Sequence, residues 1–261
     1  MRRLAPSRLT VCLGAFLTFA FASAEARPLA AIKASGTLRV GLTGDYAPYS
    51  LRGADGKIAG ADVTMAQGLA KTLDVALVIV PTSWTTLKDD LKADRFDLAM
   101  GGVSVTRDRA AVGDFSLPVM RDGKRPIARC ADKDRYVSVS AINASSVRVV
   151  VNSGGTNERF AKAYFPNAHV EVHADNRTIF DEIAAGRADV MVTDGAEVDY
   201  QARRHAGVLC PAAVLDSFDH FDKAYWMTHD PALKAAVDAW LTKSLAEGEY
   251  QRALAGAADQ L

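Results

Sequence analysis

Runs of β-forming apolar residues alternate with helix-period runs along most of this chain. Thr37-Leu38-Arg39-Val40-Gly41-Leu42 reads as a strand, 62–73 as a helix, 75–80 as a nearly continuous apolar strand, 86–93 as a helix and 97–100 as a strand. The alternation resumes with strands predicted over 147–151, 170–173 and 189–192, and helices over 157–165, 178–185 and 196–204. A strand apolar throughout is expected to be covered on both faces, and strand–helix alternation gives mainly parallel sheets flanked by helices. The fold class is therefore α/β.

A repeat divides the pattern. Asp89-Asp90-Leu91-Lys92-Ala93-Asp94-Arg95-Phe96-Asp97-Leu98 and Asp181-Glu182-Ile183-Ala184-Ala185-Gly186-Arg187-Ala188-Asp189-Val190 both spell acidic-acidic-apolar-x-Ala-x-Arg-x-Asp-apolar. Convergence at a helix end turning into a strand is one explanation. Two similar α/β lobes is the other, and the one we expect. The pattern breaks at 116–123 and again at 216–222, then resumes with a strand over 224–227 and a long helical run over 232–254, capped by Asp230-Pro231. Two crossings return the C-terminal segment to the first lobe. The expected division is 27–120 with 218–261 as one lobe and 121–217 as the other, with a ligand cleft between them near the strand C-termini.

The first 26 residues read as a secretory signal peptide. Arg2, Arg3 and Arg8 make a basic start, residues 9–21 an apolar centre, and Ala22-Ser23-Ala24 and Ala24-Glu25-Ala26 offer small-x-small cleavage sites. A periplasmic protein is expected, without membrane attachment after cleavage, since no later run is long and apolar enough to span. The whole chain holds 31 basic and 31 acidic residues, a balance that does not point to nucleic acid. Cys130 and Cys210 read as a disulfide in an oxidising compartment, two buried thiols being the alternative. Their spacing and the scattered histidines give no metal-ligand pattern, and no cofactor is expected.

Several loops follow predicted strands. Gly44-Asp45-Tyr46-Ala47-Pro48-Tyr49 places an acid and two aromatics at a strand end, where a plain turn would also use Gly, Asp and Pro. Trp84, in Pro81-Thr82-Ser83-Trp84, is either a ligand wall or a lid on the core. Ser104-Val105-Thr106-Arg107-Asp108-Arg109 could offer a hydroxyl and a guanidinium to a carboxylate, although a helix cap with surface arginines explains the spacing as well. Asn152-Ser153-Gly154-Gly155-Thr156-Asn157-Glu158 opens a helix with glycines that let backbone amides approach an anion, a carboxylate more plausibly than a phosphate. Lys124 follows a glycine in the expected crossing, where a solvated lysine is the ordinary outcome. Asp194-Gly195-Ala196-Glu197 has capping-box spacing, which by itself accounts for both acids.

Taken in order, these loops resemble those of the periplasmic amino-acid-binding proteins, the type II two-lobe solute-binding proteins of ABC importers, over essentially the whole mature chain. The resemblance implies that Tyr46 to Tyr49 forms part of a pocket. It also implies that Arg109 holds an α-carboxylate with help from Thr156, that Ser104 lies beside them, and that Asp194 receives an α-ammonium group. A closer resemblance is to the exported cyclohexadienyl dehydratases. It is carried by Gly44-Asp45-Tyr46, Pro81-Thr82-Ser83-Trp84, Arg121-Asp122-Gly123-Lys124, Val151-Asn152-Ser153-Gly154-Gly155-Thr156-Asn157-Glu158, Asp175-Asn176-Arg177-Thr178-Ile179-Phe180 and Thr193-Asp194-Gly195-Ala196-Glu197, with cysteines at 130 and 210. Gly195-Ala196 departs from that pattern, which predicts bulkier residues. The resemblance implies decarboxylating dehydration of prephenate to phenylpyruvate, or of L-arogenate to L-phenylalanine, with Glu197 as the general acid. Asp45, Tyr46, Trp84, Ser104, Arg109, Lys124, Asn152, Thr156, Asn157 and Asp194 would bind substrate. The partner implied is this small molecule alone, and a homo-oligomer is compatible with it. Amino-acid binding without turnover is the alternative function.

Overall fold

Two five-stranded sheets with one shared plan emerge from the predicted strands. A computed structural model describes residues 27–260, so the expected leader at 1–26 lies outside the described residues. In the first sheet Thr37–Leu42 lies between Ala76–Pro81 and Leu98–Ala99, followed by Trp226–Met227 and Asp114–Phe115. In the second, Arg148–Asn152 lies between His169–His173 and Val190–Asp194, followed by Lys124–Arg129 and Leu209–Pro211. The first three strands of each sheet run parallel, and the fourth, supplied by a crossing segment, is antiparallel. The fold is thus the two-lobe α/β arrangement that the alternation predicts.

The repeat has a physical basis in matching turns. In the first lobe Asp97 accepts from the backbone N–H of Arg39 at 2.7 Å and from its guanidinium, and the Asp97 N–H returns to the Arg39 carbonyl at 2.9 Å. In the second, Asp189 accepts from the N–H of Arg148 at 2.9 Å and from its guanidinium, and the Asp189 N–H returns to the Arg148 carbonyl at 2.9 Å. Each pair ties the start of a lobe's third strand to its first.

Helix Ala61–Leu73 buries Val63, Met65 and Leu69 against Leu38, Val40 and Leu42, joined by Trp240 and Leu241 of helix Pro231–Ala246. In the second lobe Phe160 and Phe165 cover one face of Val149, Val151, Val190 and Val192, while Ile179, Ile183 and Val198 cover the other. The disulfide Cys130–Cys210 ties the turn just after strand Lys124–Arg129 to the neighbouring strand Leu209–Pro211.

Four expectations are corrected. The apolar run 75–80 is not covered on both faces: Ala76–Pro81 is an edge strand, and Val78 is 42% exposed. The long helical run is two helices, Pro231–Ala246 and Glu249–Gln260, broken where Gly248 takes φ +72°. The segment 116–123 contains strand Met120–Asp122, paired antiparallel with Phe221–Lys223 of the second crossing, so the crossings form a two-stranded ribbon between the lobes. Lys124 is not in an irregular crossing; it opens strand Lys124–Arg129. Among the described residues no helix is long and apolar enough to cross a membrane.

Candidate active site

Strand Val190–Asp194 ends at the cleft, and its antiparallel partner begins there, with Asp194 opposite Lys124 in register. The Lys124 side chain is therefore delivered to the Asp194 carboxylate inside the protein. Both are about 1% exposed. Lys223, from the second crossing, donates to the other oxygen of Asp194, and the Tyr46 hydroxyl donates to that oxygen too. Burial alone would raise the Asp194 pKa, but the two ammonium groups hold it well below the usual carboxylate range. Burial lowers the pKa of Lys223 while Asp194 opposes the shift.

Both lysines are saturated. Lys124 donates to Asp194, to Asn157 Oδ1 and to Thr156 Oγ1 at 3.0 Å. Lys223 donates to Asp194, to the Gly102 carbonyl at 2.7 Å and to Ser104 Oγ at 2.9 Å. An ammonium group has three donors and no acceptor, so nothing remains unspent on either. Lys124 is accordingly no solvated surface lysine. The network ties loops of both lobes to one carboxylate.

Tyr46, Trp84, Ser104, Asn152, Thr156, Asn157 and Asp194 line one narrow cleft between the lobes, together with Gly102, Gly155 and Lys223; Arg109 and Lys124 do not line it. Trp84 is both wall and lid: it packs against the core cluster of Leu87, Leu91, Phe96 and Trp226 and meets Tyr46 edge-on at 5.2 Å. Asp45 stands behind it: its Oδ1 accepts the Trp84 indole N–H at 3.1 Å, and it is not part of the lining. Gly154 takes φ +79°, and a Cβ there would lie 2.8 Å from the Thr85 backbone, so the glycine permits close approach of the opposing loops. The Gly154 N–H is not offered to a ligand, as the sequence suggested, because Glu158 accepts it at 2.6 Å.

Arg109 is buried, in contrast to the surface arginine that spacing alone allowed. Its guanidinium lies over the rings of Trp84 and Trp226, 5.9 and 6.0 Å from their centroids, and donates to the Ser104 carbonyl at 2.9 Å. Burial and the nearby Arg159 lower its pKa to about 10, leaving it charged at neutral pH. Among the described residues no carboxylate lies within ion-pairing distance of it, an arrangement suited to a ligand carboxylate.

Glu197 is 1% exposed in the first turn of helix Gly195–Arg204. The capping box is not formed: Asp194 makes no side-chain capping bond, and Glu197 Oε2 instead accepts from the Thr193 hydroxyl at 2.6 Å. Asp122, from the first crossing, caps the helix by accepting from the N–H groups of Gly195 at 2.9 Å and Ala196 at 3.3 Å. At Gly195 a Cβ would lie 2.8 Å from Asp122 Oδ1, so the helix cap itself favours glycine there; nothing in the structure accounts for Ala196. Burial, reinforced by the charges of Asp194 and Asp45, pushes the Glu197 pKa well above the usual range, although the Thr193 hydrogen bond pulls the other way. Burial beside the Asp194 anion thus favours the protonated form of Glu197. Glu197 does not line the narrow cleft itself, but sits behind Asn157 and Thr193.

Sequence reasoning missed Lys223, Thr193 and Asp122. A lysine immediately before the apolar run Ala224-Tyr225-Trp226 was the signal for the first; the other two lie in stretches that carry the resemblance, but nothing local gives them a role.

The sequence model of the bacterial extracellular solute-binding proteins, family 3, matches residues 38–256. The chain belongs to that family. It is 46% identical over 230 residues to the cyclohexadienyl dehydratase of Pseudomonas aeruginosa, covering 88% of this chain and 85% of that protein. Among solved structures it resembles an ancestral cyclohexadienyl dehydratase at 44% identity and TM-score 0.56, covering 90% of this chain and 98% of that one. An ancestral amino acid-binding protein, described as a precursor of cyclohexadienyl dehydratase, superposes at TM-score 0.78 with 33% identity, covering 86% and 96%.

Proposed function

We propose that this protein is an exported cyclohexadienyl dehydratase of the periplasm, converting prephenate to phenylpyruvate or L-arogenate to L-phenylalanine in a cleft between lobes at 27–120 with 218–261 and at 121–217. The observation that carries the reading is Glu197, a buried carboxyl whose protonated form is favoured by burial, next to an Asp194 ion-paired with two lysines. The relatives named above support the same activity.

The charges suit the substrates. Arg109 is a buried cation with no carboxylate within ion-pairing distance among the described residues, which leaves it for a substrate carboxylate. Prephenate and L-arogenate each carry two carboxylates. Most amino acids carry one, and their ammonium group would need a carboxylate not already spent on Lys124, Lys223 and Tyr46. This weighs against simple amino-acid binding and, between the two substrates, favours prephenate, which has no ammonium group.

In the reaction, the bond from the ring carbon to its carboxylate breaks and carbon dioxide leaves. The released electron pair moves through the diene and expels the ring hydroxyl, which takes the proton of Glu197 and departs as water. The ring becomes aromatic, and the Glu197 carboxylate regains a proton from solvent. Arg109 and Thr156 hold a substrate carboxylate, while Tyr46 and Trp84 wall the ring. Asn152 and Asn157 orient its polar groups, and Lys124 holds Asn157 and Asp194 in place. General acid catalysis of this kind is worth roughly 10²–10⁴-fold. Glu197→Gln should therefore abolish most prephenate turnover, by about that factor, with the thermal melt unchanged or raised. Parental turnover in that variant overturns the acid role. Stoichiometric amino-acid binding by the parent in calorimetry, without turnover, overturns the enzyme reading.

A further inference from the structure

Thr193 is fully buried in strand Val190–Asp194, and its hydroxyl makes two side-chain bonds. It accepts from Asn157 Nδ2 at 2.9 Å and donates to Glu197 Oε2 at 2.6 Å. Asn157 is committed at both ends: its other amide hydrogen goes to Asn152 Oδ1 at 2.9 Å, and its own oxygen takes the Lys124 ammonium. A lysine can only donate. The Asn157 oxygen must therefore face Lys124 and its NH₂ must face Thr193, which leaves the Thr193 proton for Glu197 Oε2 at 2.6 Å. The donor order Lys124, Asn157, Thr193, Glu197 is fixed by the cation at its head.

In that order Glu197 Oε2 is an acceptor, so the proton of the neutral acid resides on Oε1, which no donor reaches among the described residues. We propose that Thr193 is a positioning residue that holds the transferable proton of Glu197 on Oε1, and that the chain headed by Lys124 makes this proton easier to give up. The proposal rests on the reading of Glu197 as the general acid. A hydroxyl kept only for packing would not need to stand in a directed chain that starts at a buried ammonium and ends on the acid.

The charged and titratable groups facing Glu197 are Asp194 at the end of the same strand, Lys124 on the facing strand, and Asp45 and Tyr46 from the first lobe. Burial, Asp194 and Asp45 favour the protonated form; Thr193 and Lys124 favour the carboxylate. Removing the Thr193 hydroxyl takes away one of the two influences that loosen the proton. Glu197 should then keep its proton to higher pH and donate it less readily.

The test compares Thr193→Val with Thr193→Ser. Turnover of prephenate would be followed as a function of pH. Infrared difference spectra would follow the carboxylic C=O band that Glu197→Gln removes. Thr193→Val should lower kcat roughly 10–100-fold with KM little changed. It should move the alkaline limb of kcat up by about one pH unit and raise the C=O frequency, because the carbonyl oxygen Oε2 loses its donor. Thr193→Ser should restore all three. A parental profile and band in Thr193→Val overturns the proposal, and so does a serine variant that behaves like valine, since the lost effect would then be packing. If Glu197→Gln keeps full turnover, the acid reading falls, while the band in Thr193→Val still decides whether the hydroxyl bonds Oε2. If Thr193→Val does not fold, Asn157→Ala removes the preceding link, and its band should shift in the same direction by less; an unmoved band there also overturns the proposal.

Discussion

In the first lobe Asp97 ties the third strand to Arg39 of the first; in the second, Asp189 does the same with Arg148. Beyond those turns the lobes part. At the spacing that puts Asp194 and Glu197 after Asp189, the first lobe has Gly102 and Val105 after Asp97. Gly102 gives only backbone, its carbonyl to Lys223 and its N–H to Asp62. The residues that repeat between lobes thus build scaffold, and those that fail to repeat carry charge into the cleft. The first lobe supplies walls and an arginine, while the second supplies the acid and the anion that two lysines converge on.

The largest effect should come from breaking that asymmetry at its centre. Asp194→Asn leaves the buried ammonium groups of Lys124 and Lys223 without their shared carboxylate. Removing one partner of a buried ion pair costs about 3–5 kcal/mol. Urea unfolding at pH 7 should show a loss of that size; a loss under about 1 kcal/mol would mean the lysines find water or another acceptor at little cost. The pH dependence has a definite sign. Asp194 has a depressed folded pKa, so its contribution is present above the ordinary carboxylate range and disappears as pH falls through the lower folded value. The parent should therefore lose stability steeply in acid where Asp194→Asn does not.

The next difference concerns how each lobe is held. The first lobe buries Trp240, Leu241 and Tyr250 from two C-terminal helices with no counterpart in the second. The second has the disulfide, which closes a loop with a sequence separation of 80. Cys130→Ser with Cys210→Ser should cost about 2–5 kcal/mol. Hydrogen exchange should show the loss in 124–211 first. Uniform loss over both lobes would show that they unfold as one unit and that the comparison does not extend to stability.

The scaffold was legible in the sequence because its signals are local: apolar runs, helix periods and a ten-residue repeat. The site was legible where strand ends carry unusual residues, as at Tyr46, Trp84, Asn152, Asn157, Asp194 and Glu197. It was illegible where the partner comes from elsewhere in the chain. Asp194-x-x-Glu197 reads as a capping box because local rules cannot see Asp122 arriving to cap the helix, or Lys124 and Lys223 arriving to claim Asp194. Arg109 reads as a surface residue until Trp84 and Trp226 close around it.

The smallest expected effect tests how equal the repeated turns are. Asp97→Ala and Asp189→Ala each leave a strand N–H without its acceptor and take an acceptor from an arginine, Arg39 keeping Asp94 at 2.8 Å, a loss of about 1–3 kcal/mol. The two should not be identical. The Asp97 side chain is fully buried and also holds Arg27, at 3.0 Å from Nε and 2.5 Å from Nη2. Asp189 is 12% exposed on its side chain, its Arg148 partner is 45% exposed, and its second arginine, Arg129, lies at 3.5 Å. Water can replace part of what Asp189 provides and little of what Asp97 provides, so Asp97→Ala should be the more destabilising in urea melts. Because neither residue touches the cleft, kcat for prephenate should stay parental in both variants at a temperature where they remain folded. A fall in kcat for Asp189→Ala alone would show that the second lobe's scaffold also sets the geometry of Asp194 and Glu197, five and eight residues further on, and the division between repeated scaffold and unrepeated chemistry would have to be redrawn there.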